Sequence, residues 1–352
     1  ILNKKINERS FIFYSFVFLN INKLNQNMTE QELILDMQSI LQEKMEKDYV
    51  EGKTKRDAHP RCLALLKANF KIIKNLPNNL QIGIFQPGKI YKSFIRISNA
   101  SGKVQSDKVK DFRGFAIKLI EVEGKRFDST ESHTQDFLMM SHPTMPLGTV
   151  KLFRDAVYYA VKWNPFILAM KMIFSGNGKI LKELNNAKKN QTSPLDLTYW
   201  STTPYMYGNQ QIKFKIVPTS ATKSELPQVI TDNYLTENMV NHLQKDIAKF
   251  DFYIQPFTDE KNTPIENAGI EWNSSFIKVA EIEIPIQIFN TEEHFDFAEQ
   301  LSFSPSNSLE EHKPIGGINR ARIEIYNALS KFRHQRNNKP IIEPTLNDFN
   351  TK

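Results

Sequence analysis

Short runs of strand-forming residues, broken by Asn, Pro and Gly, do most to limit what this chain can fold into. Between residues 63 and 123 the runs LALLKANFKII, LQIGIF, IYKSFIRIS and FRGFAIKLIEVEG have strand character and turn residues between them. From 149 to 188 the period becomes helical, in KLFRDAVYYAVKW and PFILAMKMIF. Strand character returns in QIKFKIVP, FDFYIQPF and FIKVAEIEIP. Antiparallel strands interrupted by a helical excursion predict an α+β fold built on a β-barrel or sandwich. The Met and aromatic residues of the excursion read as ordinary core.

Ahead of the strands, Leu33, Met37, Ile40 and Leu41 recur at helical spacing, and Thr29 with Glu32 has the form of a capping box. A basic link, EGKTKRDAHPR, follows at 51–61. The first 27 residues, rich in Asn, Lys, Phe and Ile, precede Met28 and read as a non-native or targeting extension. Their nine-residue apolar run is too short to span a bilayer. The expected organisation is an extension (1–27), an N-terminal helix or arm (28–50), a main domain (51–340) and a tail (341–352).

Charge and cysteine usage exclude several classes. The net charge of +7 is carried by lysines that read as dispersed, so no polynucleotide partner is expected. Cys62 is the only cysteine, which rules out a disulfide within the chain or a thiolate zinc site. The seven histidines form no HExxH run or tight pair. No stretch is long and apolar enough for a transmembrane span, and the ending FNTK matches no address signal. A cytoplasmic protein with no secretion or peroxisomal signal is expected.

The run RARIEIYNALSKFRHQRN, 320–337, then raises a chemical question. Arg322, Tyr326, Leu329 and Arg333 follow one another in steps of four, three and four, which puts a cation, a phenol, an apolar residue and a second cation on one helical face. A free phenol titrates near pH 10, so a tyrosine that serves as an anionic ligand needs a metal and a cation beside it. Arg322 supplies a permanent one. From this helix alone two readings stay open: a buried tyrosine capped by arginine, or the axial ligand of a ferric haem.

RIEIY followed by FRH resembles the proximal haem helix of the haem catalases, and AEQLSFSPSN (298–307) is similar to the segment that precedes it there. KRDAHPR (55–61) resembles the distal-histidine motif, and FIRIS (94–98) with DFRGFAIKL (111–119) resembles the paired distal strands. The pieces occur in the family's order across roughly residues 51 to 337. The resemblance implies a catalase-like antiparallel β-barrel with inserted helices and a C-terminal proximal haem helix, holding haem b. It implies Tyr326 as ligand to the ferric iron and Arg322 as its cationic partner. It further implies His59 as distal base, Ser98 as the hydroxyl orienting it, and Arg56, Arg96 and Arg333 as partners of the haem carboxylates.

Departures from the family pattern bear on activity. Aligned through Thr134 and Phe137, ESHTQDFL places Ser132 where catalases keep the asparagine that hydrogen-bonds peroxide. Ala58, before the distal histidine, replaces the threonine of allene-oxide-forming relatives. NADPH-binding residues are not recognisable, and the C-terminal helical domain of typical catalases is not expected. The expected function is breakdown of hydrogen peroxide or organic hydroperoxides, as peroxide detoxification. The alternatives are lipid-hydroperoxide reduction or rearrangement, and haem binding with little turnover. A homo-oligomer is left open, as is peripheral membrane contact through NPFILAMKMIF (164–174).

Overall fold

The computed structural model describes residues 28–128, 132–163 and 165–351; the extension 1–27 lies outside them. Helix α1 (Glu30–Asp48) leads to strands β1 (Cys62–Ile72), β2 (Ile90–Asn99), β3 (Arg113–Leu119) and β4 (Gln135–Met140). The helical excursion comprises α2 (Val150–Tyr158), a π-helical turn (Tyr159–Trp163), α3 (Pro165–Phe174) and α4 (Gly178–Ala187). Strands β5 (Tyr199–Trp200), β6 (Tyr205–Tyr207) and β7 (Gln210–Pro218) follow, then α5 (Tyr234–Leu243), β8 (Ala248–Pro256) and β9 (Ile277–Ile284). Helices α6 (Glu292–Gln300), α7 (Gly317–Arg336) and α8 (Leu346–Thr351) complete the described chain.

The strands form one antiparallel sheet in the order β5-β4-β3-β2-β1-β9-β8-β7-β6. Pairing of β5 with β7 closes eight of them into a barrel, and β6 lies along β7 as a hairpin arm. Closure leaves the barrel without a free edge, one of the ways an all-antiparallel sheet avoids pairing with other chains. The α+β barrel expected from the strand runs is therefore the fold observed.

Strand alternation divides the residues cleanly. Ile95 and Ile97 of β2, Phe115 and Ile117 of β3, and Phe137 and Met139 of β4 belong to the buried lumen core. Phe70 stacks on Phe137 at 5.8 Å, and Phe137 meets Phe252 edge-on at 5.1 Å. The lumen is thus packed with rings, each contributing through burial and ring contact. The intervening residues point outward, because side chains in a strand alternate with period two.

The structure corrects the sequence reading in three places. LQIGIF is no strand: Asn78–Leu80 is a 3₁₀ turn, and Leu80, Ile84 and Phe85 plug one side of the core. Gly83 has φ +53°, outside the strand region, and Ile84 N–H donates to His312 Nε2 at 3.2 Å instead of to a ladder partner. The run starting at Phe112 leaves the sheet after Leu119. Strand β4, absent from the reading, sits where the TQDFL segment was taken only as a motif.

Helix α1 begins with the expected capping box, Thr29 N–H donating to Glu32 Oε2 at 2.7 Å and Glu32 N–H to Thr29 Oγ1 at 3.3 Å. Its Leu33, Met37 and Met45 pack on Ala321, Ile325 and Leu329 of α7. Arg320 reinforces that pairing by bridging Glu30 and Glu266. Burial of such side chains contributes about 1.5–3 kcal/mol each. This packing fixes α7 alongside the outer wall of the barrel.

Candidate functional site

The outward residues of β2, β3 and β4 make the floor of a cleft. Two cross-strand rows supply it: Arg96–Ala116–Leu138 and Ser98–Gly114–Met140. On its outward face the central strand has only Ala116 and Gly114, so the floor is hollow beside the larger Arg96, Leu138 and Met140. Over it lie 56–59 of the link, Ser302 and Phe303, and the α7 face. The cleft holds about 970 Å³ of unfilled space, the open mouth included.

All four residues of the α7 stripe, Arg322, Tyr326, Leu329 and Arg333, line this one cleft, joined by Ser330. The Arg322 guanidinium lies 5.3 Å from the Tyr326 ring centre. Its Nη1 donates to Thr203 Oγ1 at 3.0 Å and to Asn319 Oδ1 at 3.1 Å, which fixes its position. Burial opposes its charge, but Tyr326 and Tyr205 outweigh that, and its pKa is raised.

His59 approaches from the barrel side. Its backbone is in the left-handed region, φ +56°, and the following Pro60 restricts it further. Two contacts hold this conformation: Arg96 Nη2 donates to the His59 carbonyl at 2.9 Å, and Nδ1 lies 3.0 Å from Ser98 Oγ. The imidazole rests on Gly114, where a Cβ would come within 2.6 Å of Nδ1. Burial, then the charges of Arg96, Arg322 and Arg56, push its pKa down to about 3. The ring is therefore neutral at physiological pH.

Arg56, Arg96 and Arg333 gather at one end. Arg56 Nη1 meets Glu299 Oε2 at 2.8 Å, and Arg96 Nη2 meets Glu299 Oε1 at 3.5 Å. Arg56 also donates to the carbonyls of Ala298 and Leu301, and Arg333 to those of Glu299 and Leu301. Burial alone would raise the Glu299 pKa; the three guanidiniums overcome it and hold the carboxyl below its ordinary range. Burial and mutual repulsion lower Arg56 well below the arginine range, and burial brings Arg333 down to about 10. Two carboxylates, Glu299 and the half-buried Asp57, do not balance the three guanidiniums, so this end favours further negative charge.

The structure thus brings together His59, Ser98, Arg56, Arg96, Arg322, Tyr326 and Arg333. It does not bring Ser132 with them. The Ser132 hydroxyl is 2.8 Å from Thr134 Oγ1 and donates to Asn307 Oδ1 at 3.2 Å, apart from the cleft lining. The wall that β4 presents is Leu138 and Met140, so the strand offers the cleft no polar side chain. Gly114, under the imidazole, and Glu299, between Arg56 and Arg96, also belong to this site. Strand alternation counted from Ser98 across the register would have marked Gly114, whereas Glu299 sat unassigned inside the quoted AEQLSF run.

An aromatic dicarboxylate such as haem fits these residues on three counts. The walls are largely apolar, the cationic end is under-neutralised, and Nε of Arg96 and of Arg322 is buried without a protein hydrogen-bond partner. A tyrosine oxygen is a suitable donor for ferric iron.

The closed antiparallel barrel with its surrounding helices is a catalase-like fold. Solved catalases share it. A fungal catalase matches with a TM-score of 0.66 and 16% identity over 86% of this chain and 64% of its own. A bacterial catalase matches at 0.62 and 17% over 86% and 62%. Catalase A from Saccharomyces cerevisiae matches at 0.65 and 16% over 83% and 64%. This chain therefore spans a little under two thirds of those catalases. No family model and no curated protein sequence matches it.

Proposed function

We propose that this protein binds haem b through Tyr326 and decomposes peroxides, and that its cleft suits organic hydroperoxides as well as hydrogen peroxide. The observation that carries the reading is the shared cleft: Arg322 and Tyr326 line it from α7, His59 and Ser98 from the link and β2, and three arginines meet at one end. Solved catalases with the same fold support it.

When bound, the haem supplies the iron-centred redox chemistry that divides the O–O bond. This chain's residues do the rest. Tyr326 offers its oxygen to the iron, with the permanent charge of Arg322 beside it. Arg56, Arg96 and Arg333 anchor the two carboxylates through charge-assisted hydrogen bonds. In the tautomer whose Nδ1–H is directed at Ser98 Oγ, His59 Nε2 carries a free lone pair. It takes the proton from one peroxide oxygen and returns it to the other as the bond opens, help typically worth roughly 10² to 10⁴ in rate. Its low pKa keeps the base form available throughout the physiological range.

Leu138 and Met140 favour the organic substrate. They present hydrocarbon and thioether where a polar donor would steady hydrogen peroxide, and apolar walls suit an alkyl chain. The experiment is direct. Protein expressed with haem precursor is examined by absorbance, then given hydrogen peroxide or a fatty-acid hydroperoxide, with oxygen release and lipid consumption followed in parallel. A ferric high-spin phenolate spectrum with consumption of either substrate supports the reading. Protein that takes up no haem, or takes it up with an unchanged spectrum in Tyr326→Phe, overturns it.

A further inference from the structure

The lysines are not as dispersed as the sequence reading held. Residues 162–189 contain six of them, Lys162, Lys171, Lys179, Lys182, Lys188 and Lys189, against a single acid, Glu183, in a chain whose net charge is +7. All but Lys171 are exposed; of these five, Lys162 pairs with Glu43 and Lys179 with Glu183. The same segment contains α3 and α4, and several of its large apolar residues face away from the core. Trp163, Phe166 and Ile173 are 40%, 61% and 57% exposed.

Phe166, half-buried Met170 and Ile173 fall at i, i+4 and i+7, one continuous outer stripe of α3, while Ile167 and Met172 take the inner side. Helix α4 has no fully buried residue, and its Ile180, Leu181 and Leu184 remain half-exposed. Among the described residues, none between 163 and 187 joins any of the three hydrophobic clusters of the molecule. The pair instead stands over an open cleft lined by Leu168, Met172 and Ile180 on its own side. Helix pairs of this kind usually bury their apolar stripe in their own domain; this one turns aromatic and aliphatic side chains outward between lysines.

We infer that the α3–α4 hairpin docks on an anionic phospholipid surface. Trp163, Phe166 and Ile173 would enter the headgroup–acyl boundary while the surrounding lysines meet lipid phosphates and carboxylates. An exposed apolar stripe combined with flanking lysines is what an interfacial helix requires: hydrophobic burial gives depth, and charge gives preference for acidic lipid. No helix among the described residues is long and apolar enough to cross a membrane, so the attachment is peripheral. This inference stands on surface residues alone and is independent of haem binding.

The test uses the full chain in vesicle flotation, with phosphatidylcholine alone or with about one third phosphatidylserine. Binding at least about ten-fold stronger to the acidic vesicles, weakened by salt, is expected. Phe166→Ser/Ile173→Ser should abolish flotation, and Lys182→Glu/Lys188→Glu should remove the lipid preference. Ile286→Ser/Ile288→Ser, equally exposed elsewhere, should change nothing. Trp163 emission should shift to the blue on acidic vesicles, a shift missing in Trp163→Phe, which reports docking without relying on a multiply substituted chain. No flotation, equal flotation on both vesicle types, or equal loss in the Ile286/Ile288 variant overturns the inference.

Discussion

Gly114 and His59 touch so closely that no other residue fits at 114 without moving the imidazole: an added Cβ would lie 2.6 Å from Nδ1, 2.7 Å from Cε1 and 2.8 Å from Ser98 Oγ. The His59 imidazole is therefore seated by a missing side chain as much as by its hydrogen bond. Gly114→Ala should leave Tyr326 and the arginines in place while displacing His59. Haem uptake, read by absorbance, should stay near wild type, and peroxide turnover should fall about 10- to 100-fold, a fraction of the general-base contribution. Wild-type turnover in Gly114→Ala would show that His59 need not hold this position.

Tyr326 and His59 should separate binding from chemistry. Tyr326→Phe removes the oxygen proposed to hold the iron and should largely abolish haem retention through gel filtration. His59→Ala should keep the haem and lose roughly 10²- to 10⁴-fold in turnover. If His59→Ala keeps full activity, proton transfer must come from elsewhere.

Why the sequence revealed one side of this cleft better than the other follows from the elements involved. The α7 stripe is local: a helix repeats every 3.6 residues, so Arg322, Tyr326, Leu329 and Arg333 could be placed on one face by counting. The floor is non-local. Ser98, Gly114 and Met140 share a row only because β2, β3 and β4 pair in one register, and a slip of one residue would turn each to the other face. Ser132 was misplaced for that reason: it precedes β4, and nothing in its own neighbourhood says which residue of that strand reaches the cleft. Leu138 and Met140, which do, look like ordinary strand residues.

Glu299 is the carboxylate around which Arg56 and Arg96 close, with Arg333 on its backbone carbonyl. Glu299→Gln removes the carboxylate that pairs with Arg56 and Arg96. The haem-free variant should unfold at a lower temperature than wild type, since buried cations are left uncompensated. Haem should then raise the melting temperature more in the variant than in wild type, because its carboxylates supply the lost charge. Equal haem-induced shifts in calorimetry would count against the arginines as the carboxylate site.

Three histidines should make the haem-free protein acid-sensitive. His59 is held down to about 3, and His312 and His334 to about 4, burial being the first cause in each case and neighbouring arginines adding to it at His59 and His334. An unfolded imidazole titrates near 6.5, so between pH 6.5 and 4 the unfolded chain binds protons that the folded one refuses. Stability is thus fully present above pH 6.5 and drains away as pH falls towards 4, by up to about 1.4 kcal/mol per pH unit for each histidine. Urea unfolding at successive pH values measures the slope, and His312→Gln should flatten it. A midpoint unchanged from pH 7 to 4.5 would mean these rings accept protons in place.

Lys118 joins β3 to β4 and to the C-terminal tail through an ion-pair network. Its side chain is fully buried, with Nζ 2.9 Å from Asp136, also fully buried, and 3.0 Å from Glu343, whose side chain is 38% exposed. Asp136 further accepts from Ser304 N–H at 2.9 Å, tying β4 to the loop that carries Phe303 into the cleft wall. Burial works against the charge on Lys118, but the two carboxylates prevail and raise its pKa. Lys118→Met should strand Asp136 and cost about 3–5 kcal/mol. Glu343→Gln, at the solvent end, should cost no more than about 1 kcal/mol. Lys118→Met/Asp136→Leu should recover most of the loss, because a well-packed apolar pair can replace a buried ion pair of similar volume. Denaturant unfolding of the three variants decides it: if the double variant is no more stable than Lys118→Met, the ion pair is not what the buried lysine is compensating.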